Sequence, residues 1–157
     1  MADEKCKAAK EYLLQVKRCD AQINNKMDDL SYLEGMVLKI TSTWKQDTTS
    51  GGSGSQDKLG DTMAKIIDLQ NEINADVDAL IDKKREISAT IEQLKDPDQM
   101  RVLHLLYFGV YDPEKAAGVK YLNWEEIGIQ MHMTARNAQI IHGRALQAVN
   151  ELLKSKV

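Results

Sequence analysis

Residues 123–153 read NWEEIGIQMHMTARNAQIIHGRALQAVNELL, and the caps and apolar residues in this segment predict the fold of the C-terminal part of the chain. Asn123 is a side-chain cap for a helix, and Glu126 three residues on completes a reciprocal capping box. Thr134 is a second cap, followed at helical spacing by apolar residues: Ala138, Ile141, Ala145, Leu146, Val149 and Leu152. Because about three residues separate the two helices, they must cross steeply, which predicts a helix-turn-helix.

The second helix of this unit has a polar outward face that suits double-stranded DNA. Its first turn and a half presents Thr134, Ala135, Arg136, Asn137, Gln139 and Ile140, with Gly143 and Arg144 further on. Arginine pairs with guanine, asparagine and glutamine pair with adenine, and alanine or isoleucine touches a thymine methyl group. We expect phosphate contacts from Arg144 and from Lys120, which lies just ahead of Asn123. The alternative is the solvated polar face of an ordinary surface helix.

Composition and charge limit the function classes. The chain has 157 residues, of which 29% are charged and 5% aromatic, and this balance favours long exposed helices. Residues 1–97 carry 14 Lys+Arg and 18 Asp+Glu, whereas residues 120–157 carry 5 and 3. Because the C-terminal basic excess is small, we do not expect strong non-specific DNA binding by a single copy, so further copies or a partner protein would help.

The cysteines and the hydropathy favour a reducing cytoplasm. Cys6 and Cys19 would lie about 20 Å apart on one straight helix, so they cannot form a disulfide with each other. We find no apolar run long enough for a membrane span and no signal peptide in residues 1–10. We therefore expect a cytoplasmic protein with no membrane partner.

Apolar residues spaced by seven predict a coiled-coil helix over residues 57–95. The row consists of Leu59, Ile66, Ile73, Leu80, Ile87 and Leu94, with Met63, Val77 and Ile91 at the partner positions. Gln70 and Lys84 interrupt the second row. They either fix the register and copy number of the helices or lie at the seam edge with their polar ends in water. Pro97 ends the helix, because proline disfavours helix at the residue before it.

A second, rougher stripe predicts another helix over residues 3–45, with Asp20 as a polar interruption. Its members are Leu13, Val16, Ile23, Met27, Leu30, Leu33, Val37 and Ile40. Between the helices, Thr-Thr-Ser-Gly-Gly-Ser-Gly-Ser predicts a flexible loop at about residues 46–57, so the two helices form an antiparallel hairpin. Trp44 at its tip either caps the coiled coil or is exposed as a partner anchor. Since a two-helix seam leaves half of each stripe exposed, we expect the C-terminal helices or a second copy to cover it.

A third helix precedes the helix-turn-helix. Asp96 is its cap, Pro97 opens its first turn, Gln99 holds the capping-box position, and the helix ends near Gly109. A loop over residues 111–121 then leads to the helix-turn-helix. Trp124, in a unit with few aromatic residues, is expected to fill its small core.

The sequence contains no recognisable catalytic or metal-binding pattern. His104, His132 and His142 fall on separate elements without cysteine or carboxylate partners at ligand spacing. A nucleophile elbow, a phosphate loop and paired acids are also missing from the sequence. We therefore expect neither an enzyme nor a metal or other cofactor, and we expect His142 to lie against phosphate or solvent.

Two sets of residues resemble known families. Trp-Glu-Glu-Ile-Gly (124–128), Thr134 and Ile-His-x-Arg-Ala-Leu (141–146) resemble region 4 of bacterial sigma factors, and residues 101–107 resemble the helix before it. Residues 54–58, 66–69 and 72–74 resemble a phage and prophage family of uncharacterised proteins that joins a helical hairpin to a sigma-like tail. The resemblance implies base contacts in the first turn and a half after Thr134. His132 stands where such turns often carry glycine, so we expect it to be left-handed.

These observations predict an all-α protein with a helical hairpin at residues 1–96 and a sigma-region-4-like unit at residues 97–157. The function that the resemblance implies is a phage-type transcription regulator that reads promoter DNA and acts with host RNA polymerase in the bacterial cytoplasm. The coiled coil would allow a homo-oligomer. One alternative is a DNA-packaging subunit similar to phage small terminases. Another is a protein-interaction module that binds polymerase without reading DNA.

Overall fold

The computed structural model describes residues 2–47, 53–115 and 118–156. Within these ranges the chain is all-α apart from one pair of two-residue strands, which confirms the predicted fold class. The elements are α1 (Ala2–Asp47), α2 (Ser53–Glu92), α3 (Pro97–Leu103), a π-helical turn (His104–Phe108), β1 (Val110–Tyr111), β2 (Val119–Lys120), α4 (Trp124–Gln130) and α5 (Ala135–Ser155). In the described ranges, no helix is both long enough and apolar enough to cross a membrane.

The chain divides into two compact units, and the smaller one spans Gln22–Leu80. Here α1 and α2 pack against each other around Leu33, Ile66 and Ile73. Lys26 of α1 and Asp76 of α2 form an ion pair at 2.9 Å, and the same two helices also pair Tyr12 with Thr90 and Asp20 with Lys84, so residue numbers rise along α1 as they fall along α2. The predicted antiparallel hairpin is therefore present in this unit.

The larger unit comprises Met1–Ala21 and Ile81–Val157. Its main core takes residues from both long helices and from the C-terminal elements: Ala9, Leu13, Val16, Ile87, Ile91, Leu94, Leu103, Tyr107, Ala145, Leu146 and Val149. The C-terminal helices therefore cover the seam of α1 and α2 in this unit, which was one of the two expected coverings. The predicted boundary after residue 96 divides the chain differently, because this core contains residues from both sides of it.

The predicted seven-residue row faces the cores. Ile66, Ile73, Ile87 and Leu94 are buried, while Leu59 and Leu80 are half-buried. The α1 stripe is also confirmed in large part, with Leu13, Val16 and Leu33 buried. Met27 was wrongly assigned to it, since 46% of its surface is exposed. Its neighbour Lys26 faces α2 instead, because its ammonium group pairs with Asp76.

Asp20 and Lys84, which interrupt the apolar stripes of α1 and α2, form an ion pair inside the larger unit. Lys84 Nζ lies 2.5 Å from Asp20 Oδ1, and Asp20 is buried. The hydroxyl of Tyr121 donates a hydrogen bond to the other Asp20 oxygen, and Lys17 Nζ lies 4.8 Å from the centre of the Tyr121 ring. Lys84 therefore pairs with the opposite helix rather than extending into water, which favours the register role over the seam-edge one.

The loop predicted at residues 46–57 is shorter in the structure. Helix α1 continues to Asp47 and α2 begins at Ser53, while residues 48–52 lie outside the described residues. Extending a helix that has already formed fixes one residue per added hydrogen bond, and glycine lowers its stability by only about 1 kcal/mol. Trp44 lies in the last turns of α1 with 36% of its surface exposed.

Helix α2 ends at Glu92, three residues earlier than predicted, because the backbone tightens before Pro97 is reached. The Gln93 amide donates to the Thr90 carbonyl and the Leu94 amide to the Ile91 carbonyl, a three-residue spacing that closes the helix. The predicted start of α3 is confirmed, with Pro97 in its first turn. The Asp96 carboxylate caps it by accepting from the Asp98 amide at 2.9 Å.

Helix α3 passes into the π-helical turn, which Gly109 ends with a φ of 72°. The residues predicted as a loop to Tyr121 are partly ordered into a hairpin, in which Val110 pairs with Lys120 and Tyr111 with Val119. Gly109 is required here because a Cβ would collide with the carbonyl oxygen of Lys120. The hairpin thus delivers the chain to the start of α4.

Candidate nucleic-acid interface

Helix α4 begins with the predicted capping box. The Asn123 side chain accepts from the Glu126 amide at 2.9 Å, and the Glu126 carboxylate accepts from the Asn123 amide at 3.0 Å. Lys120 Nζ lies 3.3 Å from the same carboxylate. The hydrogen bond from the Asn123 amide and the bond from Lys120 lower the pKa of Glu126. Lys120, predicted as a phosphate contact, is therefore already paired with an acid.

The turn between α4 and α5 is tight because Gly128 lies under it. The Met133 amide donates to the Gly128 carbonyl at 2.9 Å, and His132 has a φ of 57°, as expected for its left-handed position. A Cβ on Gly128 would lie 2.7 Å from the Met133 carbonyl oxygen and 3.1 Å from the Ala135 nitrogen. The close approach of α4 to the first residue of α5 depends on this glycine, whose role the sequence analysis did not identify.

Helix α5 starts where the sequence predicts. Thr134 is its cap and accepts a hydrogen bond from the Asn137 amide at 3.1 Å. Ala138, Ala145, Leu146 and Val149 are buried, so the predicted apolar stripe fixes the rotation of α5 about its axis. The face opposite this stripe is consequently turned toward solvent.

The structure places most of the predicted DNA-contact residues on this exposed face. Arg136, Asn137, Gln139 and Arg144 are exposed, and Ile140 is 47% exposed. Thr134 is exposed but its hydroxyl is engaged in the cap, and Ala135 is half-buried beside Gly128. The first turns of α5 thus bring together two amides, a guanidinium and an aliphatic side chain, while Lys120 is held by Glu126 on the preceding segment.

The exposed face of α5 carries positive charge without compensating acids. From Thr134 to Asn150 the sequence contains no Asp or Glu, and the first acid is Glu151. Within the described ranges, neither Arg136 nor Arg144 forms an ion pair. Lys10 of α1 contributes a further positive charge near α5, since it helps to lower the pKa of His142. Sequence reasoning did not find Lys10, because 132 residues separate it from His142.

His142 was predicted against phosphate or solvent, and this prediction was wrong. Its Nε2 lies 2.9 Å from the Tyr107 hydroxyl, and its ring centre lies 5.2 Å from that of Trp124. Burial, followed by the charge of Lys10, lowers the pKa of His142 to about 4. Burial also raises the pKa of Tyr107 to about 12. The two side chains are therefore neutral near pH 7, and they attach α5 to the π-helical turn.

Trp124 packs beside this pair, as expected. It lies against a second core cluster formed by Leu105, Leu122, Ile127 and Ala138. The cluster joins the π-helical turn, the segment before α4, α4 itself and α5. The two helices and the turn between them are thus attached to the rest of the unit through their buried faces.

Gly143 differs from the other glycines of this unit. It lies within α5 on the exposed face, and a Cβ at this position would meet no atom within 4 Å. Glycine inside a helix lowers stability by about 0.8–1.0 kcal/mol relative to alanine. The contacts of this chain do not account for that loss.

The described part of the chain contains no evident metal-binding site. In residues 2–47, 53–115 and 118–156, no three side chains among His, Cys, Asp and Glu are arranged to hold a metal ion. Cys6 and Cys19 are both free thiols, and burial raises the pKa of Cys19.

Comparison with known families identifies the chain. Residues 38–117, half of its length, match the family described as "Protein of unknown function (DUF1492)". The chain belongs to this family. The DUF1492 match runs from the second half of α1 through α2, α3 and the π-helical turn, and it ends before α4. Searches of curated proteins and of solved structures found no match.

The DUF1492 match confirms the coarser part of the sequence-based resemblance, which is membership of an uncharacterised family. The phage origin and the likeness of residues 97–157 to sigma region 4 stay predictions. The candidate interface on α4 and α5 lies C-terminal to the matched residues.

Proposed function

We propose that this protein is a DNA-binding transcription regulator of phage type. In this proposal α5 lies in the major groove, with its first turns against the base edges, and α4 crosses the sugar-phosphate backbone. The observation that supports the proposal is the combination of a tight glycine-dependent turn and an exposed, acid-free face on α5. A helix held by its buried face presents the other face in a fixed orientation, as base recognition requires.

The exposed side chains have the chemistry of base recognition. Arg136 would make a bidentate contact with guanine, and Asn137 or Gln139 would make one with adenine. Ile140 would pack against a thymine methyl group. Arg144, one turn beyond Ile140, would contact a phosphate, and the binding of Lys120 to a phosphate would first require it to leave Glu126.

The partner side of the proposal is the recruitment of host RNA polymerase. Ile129 on α4 is 74% exposed, and Tyr111 of the hairpin is 81% exposed. Exposed apolar side chains of this size are typical anchors of protein contacts. The same observation supports the second candidate function, a module that binds polymerase or another protein without reading DNA.

Selection from a random duplex pool tests the proposal. The full chain should enrich one sequence, and its affinity for that duplex should fall linearly with the logarithm of salt concentration. Binding to polymerase without enrichment of any duplex would favour the interaction module. Measurement of mass in solution separates the third possibility, since a ring of eight or more copies is the arrangement of a packaging subunit.

A further inference from the structure

Gly143 occupies the centre of the exposed face of α5. Arg136 lies two helical turns before it and Arg144 directly follows it. Both guanidinium groups are exposed, and neither forms an ion pair within the described part of the chain. A gap in the side-chain surface therefore lies between two cations that have no ion-pair partner among the described residues.

The fold does not explain why this position is glycine. Gly109 needs its positive φ, and Gly128 makes room for the turn after α4, but a side chain at 143 would point into open space. A glycine is favoured in such a place when another molecule must come close to the helix backbone. Gly35 of α1 is also open, and its neighbour is the acidic Glu34, so it offers the same space without the charge.

We infer that Gly143 is the point at which the sugar-phosphate backbone of duplex DNA meets α5, with Arg144 bound to the adjacent phosphate. The occupant is identified by charge complementarity, since the stretch from Thr134 to Asn150 has no acid and carries both free guanidinium groups. A helix of a second copy of this chain would need an apolar seam on this face, where Ile140 is the one large apolar side chain that the described structure exposes. This inference rests on the proposed function and adds a steric requirement to it.

The requirement is sequence-independent, because the sugar-phosphate backbone is the same along every duplex. A methyl group at residue 143 would hold the DNA backbone away from the helix and lengthen the Arg144 contact. Overpacking of a close interface by one methyl group typically lowers affinity about tenfold. A larger side chain would lower it further.

Four variants of the full chain test the inference: Gly143→Ala, Gly143→Leu, Gly35→Ala and Gly35→Leu. Affinity is measured by fluorescence anisotropy on the duplex that the pool selection enriches and on an unrelated duplex. Thermal melting of each variant is measured beside it. Alanine and leucine are better helix formers than glycine, so we expect both Gly143 variants to melt at or above the parent temperature.

The expected result is a loss of about tenfold for Gly143→Ala and a greater loss for Gly143→Leu, equal on both duplexes, while the Gly35 variants bind as the parent does. If the parent binds DNA and both Gly143 variants bind equally well, the inference is wrong and the proposed function stands. A loss confined to the enriched duplex would place base edges at Gly143 and overturn the backbone contact. If the parent binds neither duplex, the proposed function fails and the inference fails with it.

Discussion

The hydroxyl of Tyr107 and Nε2 of His142 lie 2.9 Å apart, and this contact joins the π-helical turn to α5. His142 is half-buried, with the exposed Gly143 and the buried Ala145 close to it in α5, so it lies at the border between the buried and exposed faces. A hydrogen bond at this border supports the rotation of α5 that the buried apolar stripe fixes, and this rotation decides which side chains reach solvent. The orientation of the candidate interface therefore depends on a contact made behind it.

The first prediction concerns pH. The pKa of His142 is lowered from 6.5 to about 4 by burial and by Lys10. Because the unfolded chain binds a proton near pH 6.5 and the folded chain does not until about pH 4, this group makes the protein less stable as pH falls through that window. The loss is on the order of 2–3 kcal/mol, and the full stability is present above pH 6.5.

The variant His142→Gln removes this titration and can still accept a hydrogen bond from Tyr107. Urea denaturation between pH 4 and pH 7 should show a smaller pH slope for the variant than for the parent. His104, whose pKa burial also lowers, is present in both proteins and contributes equally. Identical slopes would show that folding does not lower the pKa of His142.

The second prediction removes the partner of His142. Tyr107→Phe keeps the ring and deletes the hydroxyl, which leaves Nε2 of His142 without that hydrogen bond. We expect a loss of about 1–3 kcal/mol in the free energy of unfolding. Tyr111→Phe is the matched control, because Tyr111 is exposed and its loss should change stability little. Equal effects of the two substitutions would contradict the structural role of the Tyr107 hydroxyl.

The third prediction concerns the buried ion pair of Asp20 and Lys84. Lys84→Met leaves the Asp20 carboxylate in the core without its cation, so we expect destabilisation of about 3 kcal/mol. Lys83→Met is the control, since Lys83 pairs with Glu86 near the surface and such pairs contribute about 0–1 kcal/mol. The double variant Asp20→Leu with Lys84→Met should recover much of the loss. If the double variant is less stable than Lys84→Met, the pair does not act as a buried charge pair.

The fourth prediction compares two glycines in neighbouring helices. Gly128→Ala places a methyl carbon 2.7 Å from the Met133 carbonyl oxygen, and we expect a cost of about 1–3 kcal/mol that exceeds the helix-forming gain of alanine. Gly143→Ala has open space and should instead stabilise the chain by about 1 kcal/mol. Thermal melting of both variants checks this difference. A stabilising Gly128→Ala would mean that the turn can move away from α4.

The fifth prediction separates base contacts from phosphate contacts. Arg136→Ala or Gln139→Ala should lose about 1–3 kcal/mol of binding free energy on the enriched duplex and little on random DNA. Arg144→Ala should weaken binding to both alike and reduce the salt dependence by about one unit of slope. Equilibrium binding at several salt concentrations distinguishes the two patterns. Binding of all three variants like the parent would leave α5 without a role on DNA.

The elements that the sequence predicts well are those whose cause lies within a few residues. The cap of α4 joins Asn123 and Glu126, the cap of α5 joins Thr134 and Asn137, and each pair is three residues apart. The start of α3 at Pro97 is local in the same way, whereas the left-handed conformation of His132 was expected from the resemblance to sigma region 4. Local hydrogen bonds and backbone preferences act before the chain has folded, so they can be read from residue order.

The seven-residue row belongs to the same class, although its partners are distant. Its period alone turns Ile66, Ile73, Ile87 and Leu94 to one side of α2, whichever helices then cover that side. The seven-residue period does not show which helices pack against that side of α2. In the larger unit they include α5, which brings Ala145, Leu146 and Val149 to the same core.

Tertiary structure alone decided which polar side chains meet. Tyr121 and Asp20 are 101 residues apart, and Tyr107 and His142 are 35 apart. Whether such groups bond depends on the rotation of each helix and on where the chain returns, and these follow from the packing of the whole core. Short-range chemistry was therefore enough to predict the main helices, the caps of α4 and α5, and the apolar faces. The burial of His142, the Lys84 ion pair and the exposed face around Gly143 were decided by how those faces pack together.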